Sequence, residues 1–117
     1  MKYFNINEFD SPDVKGSGAK MDSCFLEMLD KARDIAGIPF VINSGYRTLE
    51  HNAKVGGVNS SSHTKGVAVD IACKESRARF VIVSALKDAG FTRIGISSAF
   101  IHVDSDIDKA QNVIWTY

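Results

Sequence analysis

Two histidines and one aspartate are the residues of this sequence best suited to bind a metal ion. His63 and Asp70 lie seven residues apart, and His102 follows far downstream in the stretch Phe100–Asp104. Zinc binds imidazole nitrogen and carboxylate oxygen, and a catalytic zinc site has three protein ligands with a water in the fourth position. We therefore hypothesise that these three residues form one zinc site. A histidine considered singly is more often a surface or hydrogen-bonded residue, and no helical His-x-x-x-His motif is present.

The positions of Asp70 and His102 support the metal hypothesis. Asp70 lies in the apolar run Val67–Cys73, whose alternation predicts a strand with Asp70 on the face opposite the valines and isoleucine. An unpaired charge there would be costly to bury, and a metal ion would neutralise it. His102 lies in a second predicted strand, on the same face as Phe100 and Asp104. Two strands and the Gly/Ser-rich loop before His63 can therefore bring the three side chains together.

The elements that must position these residues follow from hydrophobic periodicity. Apolar residues at 25, 28, 29, 32, 35 and 36 predict an amphipathic helix, capped by Asp22 or Ser23 and ended by Gly37. A second helix begins at Ser76 and ends at Gly90, and Thr48 caps a short helix over 49–55. We predict strands over 39–44, 67–73, 91–96, 99–104 and 112–117. The fold class is α+β, with two main helices and a mostly antiparallel sheet.

Composition limits the classes of protein and partner. The chain has 117 residues, which predicts a single domain, with residues 1–20 as an ordered arm anchored by Phe4, Ile6 and Phe9. It has 14 basic and 14 acidic residues, which argues against nucleic acid as the main partner. No secretory signal or membrane span is predicted, so we expect synthesis in the cytoplasm and no membrane insertion. We expect Cys24 and Cys73 to be buried free thiols, with a disulfide or a metal role as the alternatives.

Three blocks of the sequence, in order and with compatible spacing, resemble a known family. They are Ser44-Gly45-Tyr46-Arg47-Thr48 with Asn52 and Val55-Gly56-Gly57, then Ser61-x-His63-x-x-Gly66-x-Ala68-x-Asp70, then Phe100-Ile101-His102-Val103-Asp104 with Trp115-Thr116-Tyr117. The family is peptidase M15, which contains the zinc D-Ala-D-Ala carboxypeptidases and the phage-type murein endopeptidases of the Hedgehog/DD-peptidase fold. The resemblance begins at about Phe4 and spans nearly the whole chain, and the small size is similar to the phage-type branch.

The resemblance implies a function and a site. His63, Asp70 and His102 would bind Zn²⁺, and residues 1–117 would form one zinc peptidase domain, with the arm 1–20 packed on it. Arg47 would hold the substrate carbonyl or carboxylate and stabilise negative charge that develops on it. The implied reaction is hydrolysis of peptide bonds in peptidoglycan stem peptides, at D-Ala-D-Ala, L-Ala-D-Glu or a cross-link. In phage or prophage lysis a monomer of this kind would act on the cell wall after release by a holin-type partner.

The general base is where the sequence departs from the family pattern. Relatives carry a Glu or His a few residues before the last zinc histidine, whereas residues 95–101 contain no Glu, Asp or His. Asp104, two residues after His102, is the best substitute as a base. It is equally suited to orient His102 or Arg47, and a solvated acid at the strand end is the third interpretation. Weaker candidates for the base are Glu50, His51, Asp106 and Asp108.

The absent base leaves a second function open. The chain could be a non-catalytic, zinc-bearing module of the same fold that binds cell-wall peptide or a protein partner. A purely structural zinc is less favoured, because structural sites fill all four positions, often with thiolates, and the two cysteines are poorly placed for that.

Overall fold

The computed structural model describes residues 1–117, and it has three α-helices and one five-stranded sheet. The helices are α1 (Ser23–Ala36), α2 (Leu49–Lys54) and α3 (Ser76–Asp88). The strands are β1 (Ile42–Ser44), β2 (Ala68–Ala72), β3 (Arg93–Ile96), β4 (Phe100–Asp104) and β5 (Val113–Thr116). The strand order is β1-β2-β4-β3-β5, and every pair is antiparallel except β3 with β5. The predicted α+β class with a mostly antiparallel sheet is confirmed.

The hydrophobic core lies between α1, α3 and one face of the sheet. Leu29 of α1 and Leu86 of α3 are fully buried against Val69, Ile71 and other apolar residues that the strands direct toward the helices. α1 begins and ends as its sequence predicts, because Asp22 accepts a hydrogen bond from the Phe25 amide at 2.9 Å and Gly37 adopts the left-handed conformation that ends a helix. None of the helices combines the length and apolar character that crossing a bilayer requires.

The N-terminal arm carries two short 3₁₀ helices, Ile6–Phe9 and Ser17–Lys20, which the sequence did not predict. Phe4 and Phe9 are buried as expected, with ring centroids 5.4 Å apart, whereas Ile6 is 44% exposed and the prediction that it anchors the arm is wrong. Its helix turns that side chain outward while burying Phe9. The Phe9 carbonyl accepts a hydrogen bond from the Tyr46 amide at 2.9 Å. The arm therefore supports the segment that carries Arg47.

The two cysteines are free and differ in exposure. Cys73 is buried, as predicted, whereas Cys24 is exposed, so the prediction of two buried thiols is wrong for Cys24. Cys24 occupies the second position of α1, and the buried stripe of that helix begins with the next residue, Phe25.

The face of the sheet opposite the core carries a row of residues across all five strands. Asp70 pairs with Ser44 on one side and with His102 on the other, and the row continues from His102 to Gly95 and Trp115. Residues directly opposite each other in neighbouring strands project on the same side of a sheet. The sheet thus places Asp70 and His102 side by side at its centre, on the side away from the helices.

Candidate metal centre

The three predicted ligands are together in the structure. One donor atom each from His63, Asp70 and His102 can be chosen so that all three lie within 4.8 Å of one another. Asp70 Oδ1 lies 3.0 Å from His102 Nδ1 and 3.4 Å from His63 Nε2. Two imidazole nitrogens and a carboxylate oxygen are a donor set that zinc accepts. The residues present therefore fit a zinc ion.

A backbone carbonyl sets the tautomer of His63. The ring is buried, and its Nδ1 lies 2.8 Å from the carbonyl oxygen of Gly45. A carbonyl can only accept a hydrogen bond, so Nδ1 carries the proton and donates it. The other ring nitrogen, Nε2, is then the one that a metal ion would bind, and it lies 3.4 Å from Asp70 Oδ1. The Arg47 amide also donates to the carbonyl of His63 at 3.2 Å, which fixes the loop at this position.

A carboxylate behind His102 orients the second ring. Asp104 Oδ2 accepts a hydrogen bond from His102 Nε2 at 2.7 Å, and Asp104 Oδ1 accepts one from Arg93 Nε at 2.7 Å. Asp104 is only 1% exposed, and the Asp106 amide donates to it at 3.1 Å. A carboxylate on the outer nitrogen of a ligand histidine fixes the ring and raises its basicity. Nδ1 is thereby the nitrogen of His102 that faces Asp70.

Charge inside the cluster shifts the pKa values of its members. Burial would raise the pKa of Asp70, but hydrogen bonds from His102 and His63 outweigh it and hold that pKa well below its usual range. Burial would lower the pKa of His102, but hydrogen bonds with Asp104 and Asp70 outweigh it and raise that pKa. In the metal-free protein the raised pKa favours the doubly protonated ring of His102, with the second proton on Nδ1 toward Asp70. A metal bound by both residues would displace that proton.

Arg47 lies beside the cluster, as the sequence predicts. Its Nε donates to Ser44 Oγ at 3.0 Å and its Nη1 to Asn52 Oδ1 at 3.3 Å. Its Nη2 lies 3.5 Å from Asp70 Oδ2, which is a long ion pair. The guanidinium is held by one hydroxyl and one amide, and only weakly by the carboxylate, so part of its donor capacity is free toward the cleft.

A cleft of about 370 Å³ opens directly onto the cluster. The 55–58 turn, Ser61 and Lys109 line one part of it, and Phe100, Trp115 and Tyr117 line another. Trp115 fits beside His102 because Gly95 has no side chain, since a Cβ there would lie 2.6 Å from Trp115 Nε1. An open side next to three ligands is the arrangement of a catalytic rather than a structural metal site.

Most of the weaker candidate residues lie away from the cluster. His51 and Glu50 line a separate cleft with Asp13. Asp108 is an exposed partner of Lys65, and Asp106 is buried without lining the cleft. Sequence reasoning missed Arg93, the partner of Asp104. Arg93 lies two residues before Gly95, which pairs with His102, so this signal is usable only once the strand pairing is known.

The comparisons with known proteins agree with the geometry. A family model described as Peptidase M15 matches residues 2–104, which includes the cluster, Arg47 and Asp104. No curated protein matches the chain. The resemblance inferred from the sequence is thereby confirmed.

The raised pKa of His102 predicts a pH dependence for the metal-free protein. Charged His102 contributes stability that is fully present below the unfolded pKa of about 6.5 and is lost as the pH rises through the folded pKa. Between the two values the free energy of unfolding should fall by about 1.4 kcal/mol per pH unit. Urea unfolding in the presence of a chelator measures this slope. His102→Gln should flatten it and His51→Gln should keep it, and an equal slope in His102→Gln would contradict the prediction.

Proposed function

Because the chain belongs to the peptidase M15 family, we propose that it is a zinc-dependent peptidase that hydrolyses peptide bonds in peptidoglycan stem peptides. The observation that carries this proposal is the His63–Asp70–His102 cluster at the base of an open cleft. We further propose a role in phage or prophage cell-wall lysis, with a monomer made in the cytoplasm and released by a holin-type partner. The bond cleaved would be D-Ala-D-Ala, L-Ala-D-Glu or a cross-link.

The proposed chemistry divides between the metal and the protein. Zinc bound by the three residues would supply a water whose pKa is lowered to about 7 and would polarise the scissile carbonyl. The protein orients the ligand nitrogens in advance, since the Gly45 carbonyl holds His63 and Asp104 holds His102. Rings fixed in this way need no rearrangement when the metal binds.

Arg47 is the proposed substrate-binding cation. Its guanidinium lines the cleft next to Asp70 and is positioned by Ser44 and Asn52. A guanidinium presents a rigid fork of donors that matches a carbonyl or carboxylate. A donor fixed beside the reacting carbonyl stabilises the negative charge that develops on its oxygen.

Two roles stay open for Asp104, and its contacts favour one of them. Both oxygens already accept hydrogen bonds, from His102, Arg93 and the Asp106 amide, and the side chain is buried. A general base must reach the proton that it removes. The contacts therefore support Asp104 as the residue that orients His102, while its role as the base stays a prediction.

A non-catalytic module is the alternative, and one observation favours it. Residues 95–101, which precede His102, supply no carboxylate or imidazole that could serve as the base. Such a module would bind the same peptides through Arg47 and the metal without cleaving them. Hydrolysis, rather than binding, is therefore the decisive measurement.

We expect zinc-loaded protein to release new amino groups from purified peptidoglycan, and we expect a chelator to abolish the release. Added zinc should restore it. His63→Ala should lose the metal and the activity because the cluster keeps only two ligands, whereas His51→Ala should retain both. Metal content, amino-group release and mass spectrometry of the fragments measure these effects and identify the bond. Intact substrate after incubation with verified zinc-loaded protein would refute the enzyme and leave the binding module.

Arg47→Ala should keep zinc and lose most of its turnover. Removing one fixed donor to developing charge typically lowers kcat by about 10²–10³. Metal content and kcat are measured together, with Arg77→Ala, an exposed arginine on α3, as the control that leaves both unchanged. Full activity in Arg47→Ala would show that the assigned role is incorrect.

Asp104→Asn separates its two roles. If Asp104 orients His102, zinc affinity should fall by about 10–100-fold, and the zinc-saturated variant should keep the pH profile of the wild type. If Asp104 is the base, zinc affinity should stay unchanged while activity and the acidic limb of the profile are lost. Competition with a chromophoric chelator gives the affinity, and the rate against pH gives the profile.

A further inference from the structure

Asp106 is a buried carboxylate that joins two loops and that the proposed chemistry does not use. It lies just after β4 and is 2% exposed. Its Oδ2 accepts a hydrogen bond from Ser62 Oγ at 2.8 Å, and Lys65 Nζ lies 3.0 and 3.1 Å from its two oxygens. Lys109 Nζ approaches Oδ2 at 3.7 Å and donates to Ser62 Oγ at 3.1 Å. We call Asp106, Ser62, Lys65 and Lys109 the loop clasp.

The loop clasp connects the supports of the two ligand histidines. Ser62 directly precedes His63, so the Ser62–Asp106 hydrogen bond holds the loop on which His63 stands. On the other side, the Asp106 amide donates to Asp104 Oδ1 at 3.1 Å, and Asp104 holds His102. One residue therefore contacts both the loop of one histidine and the carboxylate behind the other.

We propose that Asp106 is a positioning residue that fixes the His63 loop relative to His102 and so sets the metal affinity of the site. This inference rests on the proposed zinc function. Asp106 would contact neither the metal nor the substrate. Its carboxylate would act through Ser62, and its backbone amide, which a side-chain substitution keeps, contacts Asp104. The His63 loop is held from the opposite side by the Gly45 carbonyl and the Arg47 amide. Loss of the clasp should therefore loosen the site rather than unfold it.

The surroundings of Asp106 set it apart from an ordinary surface acid. Burial would raise its pKa, but hydrogen bonds from Ser62 and Lys65 outweigh it and hold the pKa below its usual range. Asp108, two residues later, pairs with the same lysine at 3.3 Å, but its side chain is 74% exposed. Exposed ion pairs contribute little, whereas removing one partner of a buried, hydrogen-bonded pair leaves the others unsatisfied. Asp108 is thus a matched control for Asp106.

The first measurement is zinc affinity. Asp106→Asn keeps the size of the side chain and removes its charge, and we expect its zinc affinity to fall by about 10–100-fold, the usual cost of losing an outer support of a metal ligand. Asp108→Asn should bind zinc like the wild type. Competition with a chromophoric chelator measures the affinities, and the visible spectrum of the cobalt(II)-loaded proteins should change in Asp106→Asn alone. Equal affinities and spectra in the two variants would overturn the proposal.

The second measurement needs no metal. The amides of Lys65 and Val67 both donate to the Ser62 carbonyl, at 3.2 Å each. In metal-free protein their hydrogen exchange should be faster in Asp106→Asn than in wild type or Asp108→Asn, while the amides of β4 keep their protection. Unchanged exchange would overturn the clasp even if zinc binding fell. A wild type that binds no zinc would instead overturn the proposed function.

A milder variant serves if Asp106→Asn does not fold. Ser62→Ala removes one hydrogen bond of the clasp and keeps the pairing of Asp106 with Lys65. We expect this variant to fold and to bind zinc several-fold more weakly than wild type. Hydrogen exchange at its Lys65 amide should be faster than in wild type. Wild-type affinity and exchange in Ser62→Ala would overturn the proposal.

Discussion

The structure depends on one negative charge at the centre of a sheet. Asp70 projects from the second of five strands and is largely buried. A carboxylate in that position needs positive or hydrogen-bonding partners, because burying it alone would be costly. His63, His102 and Arg47 supply them from a loop, a neighbouring strand and the segment after β1. The same cluster suits a metal ion, since a divalent cation held by the two histidines and Asp70 would neutralise the carboxylate in place of the protons.

Each partner of Asp70 is held from behind by a residue outside the cluster. The Gly45 carbonyl fixes the His63 tautomer, and Asp104 fixes His102 while Arg93 neutralises Asp104. Gly45 follows β1 and lies against Phe9 of the N-terminal arm, Asp104 ends β4, and Arg93 begins β3. The geometry of the cluster is therefore a property of the fold rather than of a bound ion. That explains why three donors converge without a helical His-x-x-x-His motif.

Local patterns predicted the main helices and strands and singled out the three residues that the fold brings together, but they did not predict the contacts between distant segments. The spacing of apolar residues fixes the buried stripe of α1. Alternation along β2 places the Asp70 and Val69 side chains on different faces of the sheet, so both features were predictable. The pairing of Arg93 with Asp104 depends on β3 lying beside β4, and the contact of Ser62 with Asp106 spans 44 residues. Neither follows from periodicity. Ile6 was misassigned because an apolar residue in a short 3₁₀ helix can point toward the core or toward solvent. Four residues are too few for a hydrophobic periodicity that would indicate the direction.

The charge lining the cleft bears on the choice between enzyme and binding module. Arg47, Arg93 and Lys109 line the cleft with Asp70 and Asp104. Arg93 is committed to Asp104, and Lys109 donates to Ser62. A divalent ion bound by Asp70 would leave the cleft with excess positive charge, which favours peptides that carry carboxylates. Both functions would benefit from that attraction, so tight binding of an acidic peptide cannot distinguish them. Catalysis requires interactions that are stronger in the transition state than in the bound substrate. Arg47, held beside the cluster with donors still free, is the residue of this cleft best placed to make one.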